Sequence, residues 1–234
     1  MKDIIGRALL DYHHGACEDE LYTETNISEK DTLPLDYLFR SYQEMPEIEK
    51  KALQLCRGSV LDVGSGTGSH SLYLQKAGLQ VSAIDISAGA VKVSRERGLK
   101  DVRQTALLDL KGECFDTVLL LMNGTGIFEN LEKTAVYLEH LKGILNEGGQ
   151  ILIDSSDLIY MYDSTDEGAV IVPGDRYYGE LEFKVFYKGE ASDPFPWLYL
   201  DKNLLARLAL QHDLGFELIF EGDHFDYLAR LYPL

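Results

Sequence analysis

Clustered positive charge is the first thing this chain lacks. Twenty-two Lys and Arg stand against 39 Asp and Glu, a formal net charge of −17. The densest basic stretch, Arg95, Arg97, Lys100 and Arg103, is interrupted and falls near an expected helix end. A protein that grips nucleic acid needs a basic face against the phosphates, so no nucleic-acid partner is expected. The acidic excess reads instead as a solubilising surface. Cysteine is scarce as well. Cys17, Cys56 and Cys114 are odd in number and widely spaced, which is neither a disulfide framework nor a zinc-ligand pattern. Reduced, structural thiols, a cytoplasmic setting and no metal are the expectation. Long apolar runs are missing too. Val118–Met122 is far too short to cross a bilayer, and Lys2, Asp3, Arg7 and Asp11 leave no room for a signal-peptide core. No repeat, low-complexity segment or clear linker divides the chain. Its 234 residues, 45% of them hydrophobic, suit one domain with a full core.

What is present is organised around Val60–Gly68. Val60, Leu61 and Val63 form a short apolar strand interrupted by Asp62, and Gly64, Gly66 and Gly68 leave the following turn almost bare. Glycine tolerates positive φ and lets a ligand approach the backbone. A helix from Ser69 follows. Strand, bare turn and helix N-terminus together predict exposed N–H donors and a favourable dipole for anionic groups. About 20 residues on, the next strand ends at Asp85, where a carboxylate can accept two ribose hydroxyls. Ile86 and a helix-capping Ser87 come next. A dinucleotide fingerprint needs Gly-x-Gly-x-x-Gly. Here the pattern is Gly-x-Gly-x-Gly, the third fingerprint position is Ser69, and Asp62 is foreign to the nicotinamide pattern.

The run Leu61-Asp62-Val63-Gly64-Ser65-Gly66-Thr67-Gly68, with Asp85 and then Asp109 after further strand-like stretches, strongly resembles the class I S-adenosylmethionine-dependent methyltransferases. The resemblance covers Gly58 to about Ile153 well and the remainder more loosely. It implies an α/β fold: a doubly wound, mostly parallel seven-stranded Rossmann-like sheet. It implies S-adenosylmethionine as cofactor, its methionine end along Gly64, Ser65, Gly66 and Gly68, with Asp62 near the ammonium group. Asp85 would meet the ribose, with Ile86 a further cofactor-binding residue. Asp109 would accept from the adenine amino group with Leu107 or Leu108 against the ring, the rival reading being a surface carboxylate. Asn123 and Gly124 would lie between cofactor and acceptor, although Asn-Gly also marks turns.

Along the chain, residues 1–12 have helical spacing, 13–32 are polar enough for a mobile loop or lid, and helices are expected over 34–43 and from Pro46 to Cys56. These 57 residues form an N-terminal helical cap. Residues 58–154 alternate strand 58–63, helix 69–77, strand 80–85, helix 88–97, strands 101–104 and 115–122, helix 130–146 and strand 150–154. That alternation is what a parallel sheet covered by helices produces. Ligands in such sheets bind beyond the strands' carboxyl ends. A β-rich, aromatic insertion follows at 155–201, with strands over 177–189 and 196–201. Helix 202–213 and strands 216–221 and 226–232 close the fold. Gly148–Gly149 should stop the 130–146 helix.

For catalysis the candidates are His13 and His14 as a general base, with Tyr160. Arg40 can pair with a cofactor carboxylate or make an ordinary surface salt bridge. Trp197, Phe195, Tyr160 and Tyr178 can wall an acceptor pocket or simply pack. The resemblance implies methyl transfer to an unidentified acceptor. A modest, acidic, aromatic-rich chain favours a small molecule and leaves a homodimer open. A non-catalytic S-adenosylmethionine-binding module and a nicotinamide-dependent oxidoreductase are the rivals.

Overall fold

The computed structural model describes residues 2–165 and 169–234. Met1 of the first expected helix, and 166–168 within the expected insertion, lie outside the described residues. The chain opens with helix α1 (Ile4–His13), a hairpin of β1 (Tyr22–Thr25) and β2 (Ser28–Thr32), then α2 (Leu35–Leu38) and α3 (Glu47–Leu55). The alternating part comprises β3 (Ser59–Val63), α4 (Ser69–Lys76), β4 (Gln80–Asp85), α5 (Ala88–Glu96), β5 (Val102–Gln104), β6 (Phe115–Leu120), α6 (Thr134–Gly143) and β7 (Leu145–Ser156). Strands β8 (Glu180–Tyr187), β9 (Glu190–Ala191) and β10 (Phe195–Leu198) form the insertion, and α7 (Lys202–Gln211), β11 (Leu214–Glu221) and β12 (Asp226–Pro233) close the chain.

The main sheet has seven strands in the order β11-β12-β7-β6-β3-β4-β5. All neighbours pair in parallel except β12, which is antiparallel to β7 and β11. Strand order reverses between β3 and β6, so their carboxyl ends border the crevice where such sheets bind ligands. Side chains alternate across the sheet, as a pleated strand requires. Val118, Leu120, Ile151 and Ile153 pack with Leu138 and Leu141 of α6 and Leu205 of α7. Leu119 and Leu152 pack on the other face with Ile48 and Leu53 of α3 and Leu74 of α4. Apolar cover on both faces explains why β6 and β7 read as nearly continuous hydrophobic runs. Among the described residues no helix is long and apolar enough to cross a membrane.

The cap departs from expectation. The stretch 13–32 is not a lid-like loop: it contains the β1–β2 hairpin, and β1 pairs antiparallel with β8 of the insertion, Tyr22 opposite Phe186 and Thr25 opposite Phe183. β10 flanks β8 on its other side. Cap and insertion therefore share one antiparallel sheet. β2, Ser-Glu-Lys-Asp-Thr, is mostly exposed, and a charged edge strand discourages unwanted pairing. It shows no apolar alternation because little of it is buried. Helix 34–43 reduces to α2 and a 3-10 turn at Tyr42–Glu44, opened by a capping box in which the Ser41 amide donates to Glu44 at 2.8 Å. Pro46 caps α3 from outside rather than occupying its first turn. The 130–146 helix spans only Thr134–Gly143, because Leu145 pairs with Phe115 and begins β7. Gly148, with φ +71°, lies within that strand and not at a helix end.

Candidate functional site

The tips of β3 and β4 form the first half of the crevice. Gly64, Gly66 and Gly68 all have positive φ. At Gly66 (φ +55°) an added Cβ would meet nothing within 4 Å, so its backbone faces open space. Four of the expected amide donors are already spent. Gly64 and Ser65 donate to the Ile84 carbonyl (2.9 and 3.1 Å), Gly68 donates to the Ser65 carbonyl (2.8 Å), and Gly66 donates to Asp85 Oδ2 (2.9 Å). The neighbouring parallel strand takes three of these donors and the turn's own Ser65 carbonyl the fourth, so the corner offers shape more than an anion nest. Asp85 Oδ1 accepts from the Ser87 amide at 2.8 Å. Burial raises the Asp85 pKa, and the two amide bonds work against that rise. Each carboxylate oxygen keeps a lone pair for a further donor. Ile86, beside it, is 73% exposed, an apolar surface that a bound group can cover.

Asp62 lies beneath the corner and not on its open face. It is 2% exposed and accepts from Ser71 Oγ of α4 at 2.6 Å; burial raises its pKa. Arg40 neither faces solvent nor stands free for a carboxylate ligand. Its Nε and Nη2 bind both oxygens of Glu49 (3.1 and 2.5 Å), and Glu49 also meets His70 Nε2 at 2.8 Å. Burial pushes the Glu49 pKa up, but the His70 and Arg40 contacts outweigh it and hold it below the usual value. This buried cluster anchors the segment after α2. The Leu38 carbonyl of that segment accepts from Thr67 Oγ1 and Ser69 Oγ, and Arg97 reaches the Thr67 and Phe39 carbonyls. The cap is thus bonded directly to the glycine corner.

The tip of β6 forms the second half. Met122 and Asn123 are both left-handed (φ 66° and 63°), a conformation that costs free energy in non-glycine residues and persists where the surroundings hold it. Asp154, at the end of β7, holds it: Oδ2 accepts from the Met122 amide (3.0 Å) and Oδ1 from the Gly124 amide (2.8 Å). Burial raises the Asp154 pKa to about 6. Asn123 does not aim into the crevice. Its Nδ2 donates to the Leu198 carbonyl and its Oδ1 accepts from Ser155 Oγ, which ties β6 to β10. Gly124 is buried against Leu120. The residue left open at this tip is Met122, 38% exposed.

The remaining candidates separate. Leu107 enters the core, Leu108 is half-buried against it, and Asp109 ends the same 3-10 turn exposed. His13 and His14 are engaged with Glu96 of α5 (3.5 and 2.8 Å) and not with the β6–β7 tips, so the geometry does not bring them to this crevice as a base. Trp197 packs its indole over Gly126, and its ring and that of Phe195 pack with Phe183. Tyr178 spends its hydroxyl on Asp157 (2.8 Å). Those three are packing. Tyr160 is 51% exposed and stacks on Phe225. Tyr199, half-buried, has its pKa raised to about 12 by burial, with the Tyr160 and Asp154 charges adding to it. Asp154, Met122 and Tyr199 were not singled out from the sequence. One signal existed: Asp154, like Asp62 and Asp85, closes an apolar strand run. Two surface depressions, of about 90 and 280 Å³, lie elsewhere, lined by residues such as Glu24 and Lys184 and by Arg57 and Arg230. At the corner, the space beside Gly66 is open.

A protein-family model described as a methyltransferase domain matches residues 61–153. A SAM-dependent methyltransferase from Bacteroides fragilis, solved in complex with S-adenosyl-L-homocysteine, is 42% identical with TM-score 0.92, covering 100% of this chain and 96% of that one. This chain belongs to the S-adenosylmethionine-dependent methyltransferases. A probable S-adenosyl-L-methionine-dependent methyltransferase, TehB of Haemophilus influenzae, is 28% identical over 65% of this chain and 50% of its own length. A ubiquinone biosynthesis O-methyltransferase of Xanthomonas euvesicatoria is 31% identical over 44% of this chain and 45% of its own. The chain spans about half the length of these curated relatives. For a methyltransferase, a corner whose glycine amides are satisfied internally is fitting, because S-adenosylmethionine carries no phosphate. A pyrophosphate of a nicotinamide cofactor would need those donors.

Proposed function

We propose that the protein transfers the methyl group of S-adenosylmethionine to a small-molecule acceptor at the crevice between β3, β4 and β6. One observation carries this reading: the open backbone at Gly66 and the carboxylate of Asp85 stand side by side, with Ile86 uncovered next to them. A nucleoside laid there would place ribose hydroxyls on Asp85 and the face of its base on Ile86, with Leu108 and Asp109 at the far edge of the base. Gly64, Ser65, Gly66 and Gly68 would take the amino-acid end. Asp62 would act from below, holding the first turn of α4 through Ser71 and placing negative charge beneath the ammonium group.

The cofactor supplies a methyl carbon already bonded to a sulfonium leaving group. The chain then has to orient and to exclude water. Alignment of reacting groups alone can supply about 7–11 kcal/mol. Met122, Tyr160 and Tyr199 are the exposed or half-buried side chains on the acceptor side, and aromatic faces there would favour a cationic sulfonium. A cytoplasmic setting accords with three cysteines that remain free thiols. Calorimetry with S-adenosylhomocysteine against NADH, followed by incubation of S-adenosylmethionine with acceptor panels and detection of released S-adenosylhomocysteine, tests the reading. Binding of NADH in preference to the sulfur nucleoside would end it. Tight nucleoside binding with no turnover on any acceptor would favour a non-catalytic binding module.

A further inference from the structure

We propose that His13, His14 and Glu96 form a zinc-class transition-metal site that clips α1 to α5. Two of the side chains are adjacent in sequence and the third lies 82 residues beyond His14, and one ligand atom from each lies within 4.8 Å of the others. Glu96 Oε2 is the shared point, 2.8 Å from His14 Nε2 and 3.5 Å from His13 Nε2. Ligands at about 2.0–2.2 Å from a tetrahedral zinc ion are separated by roughly 3.3–3.6 Å, so these contacts already bracket the edges of such a polyhedron. The donor set, two imidazoles and a carboxylate, is one that borderline divalent metals take.

Position supports the donor set. His13 ends α1 and His14 caps it, so the chain has left the helix where the second imidazole turns toward Glu96. All three side chains are partly exposed, at 26%, 49% and 35%; an ion can enter and keep a water as its fourth ligand. Lys92 approaches only the other carboxylate oxygen, Oε1, at 3.9 Å. The His13 ring lies parallel to Phe39 with centroids 6.2 Å apart. The opposite end of the same helix pair is already latched by Asp3, whose Oδ2 accepts from Ser87 Oγ and the Gly89 amide, both at 2.9 Å. A metal at the free end would fasten the cap, whose Phe39 and Leu38 carbonyls take donors from Arg97 and the glycine corner. Its role is structural; no step of methyl transfer runs through it.

The experiment uses the full chain without a polyhistidine tag, titrated with zinc chloride by calorimetry at pH 7.5 and assayed for metal after dialysis. One zinc per chain is expected, with a melting temperature that rises on loading. His14→Ala and Glu96→Gln should each weaken binding by roughly tenfold or more, and the double variant His13→Ala/His14→Ala should bind none and gain no thermal stability. Cys114→Ser, removing an exposed thiol, should bind as the wild type does. Absence of stoichiometric zinc on the wild type, or unchanged binding in the double histidine variant, overturns the proposal. Far-UV circular dichroism separates loss of a ligand from loss of the fold.

Discussion

The Asp85 carboxylate, at the tip of one strand, accepts the amide of Gly66, in the turn after the neighbouring strand, at 2.9 Å. The residue expected to hold a ribose therefore also sets the shape of the corner expected to hold the amino-acid end. Asp85→Ala should weaken S-adenosylhomocysteine binding by about 1–3 kcal/mol for the charged hydrogen bond, with a further loss from the released turn. Asp85→Asn keeps one acceptor and should fall between. Calorimetric affinities equal to wild type in both variants would remove Asp85 from the site.

Gly66 offers a direct test of the open space beside it. A Cβ there meets no protein atom within 4 Å, so the fold should survive the backbone cost of a left-handed residue, about 1–2 kcal/mol. Its side chain would occupy the ligand's space. Gly66→Val should stay folded by circular dichroism and lose roughly 100-fold or more in nucleoside affinity, about 3 kcal/mol. Retained affinity would place the ligand elsewhere.

Asp154 should leave a signature in the pH dependence of stability. Its folded pKa, about 6, stands above the ordinary carboxylate value. The native state therefore binds this proton more tightly than the unfolded chain does. Its stabilising contribution is complete below about pH 4 and is lost as pH rises through about 6. Urea unfolding of wild type and Asp154→Asn should show the wild type losing roughly 2–3 kcal/mol relative to the variant between those limits. Parallel pH curves would mean that Asp154 titrates normally.

Glu49 sits between two buried partners, the Arg40 guanidinium and the His70 imidazole. Removing one partner of a buried ion pair leaves a charge without compensation, which costs about 3–5 kcal/mol. Glu49→Ala should lower the melting temperature sharply and loosen the Leu38–Arg40 segment over the glycine corner. Hydrogen exchange would detect that as faster exchange of the Phe39 and Arg40 amides. A variant as stable as wild type would show the cluster to be incidental.

Gly89 faces the Gly6 backbone closely enough that a Cβ would collide with its main-chain atoms. Overpacking typically costs about 1–3 kcal/mol, partly offset by alanine's helix preference of about 1 kcal/mol. Gly89→Ala should therefore destabilise by up to about 2 kcal/mol in chemical unfolding. A gain in stability would mean that α1 can shift without loss.

Some features were legible because they are local. Asp62, Gly64, Gly66, Gly68 and Asp85 fall on strand tips whose apolar runs and turn residues follow from sequence spacing alone, and Ser87 caps α5 as its residue type suggests, accepting from the Ala90 amide at 3.0 Å. Direction of side chains was not legible. Asn123 turned to Leu198, Arg40 to Glu49, and the His13–His14 pair to Glu96, each toward a partner on a different element.

The order of strands and helices in the core, and the bare corner between β3 and α4, were settled by the chain's own apolar periods and glycine spacing. These depend on contacts between residues a few positions apart or on one face of one element. Which atoms face the ligand was decided only when the sheet assembled. The parallel neighbour β4 took the Gly64, Ser65 and Gly66 amides, Asp154 reached across from β7 to hold Met122 and Gly124, and the β1–β2 hairpin found β8 about 160 residues away. Hydrogen bonds of that span carry no periodic trace in sequence, because each is a pairing of two unrelated stretches brought together by the packing of everything between them.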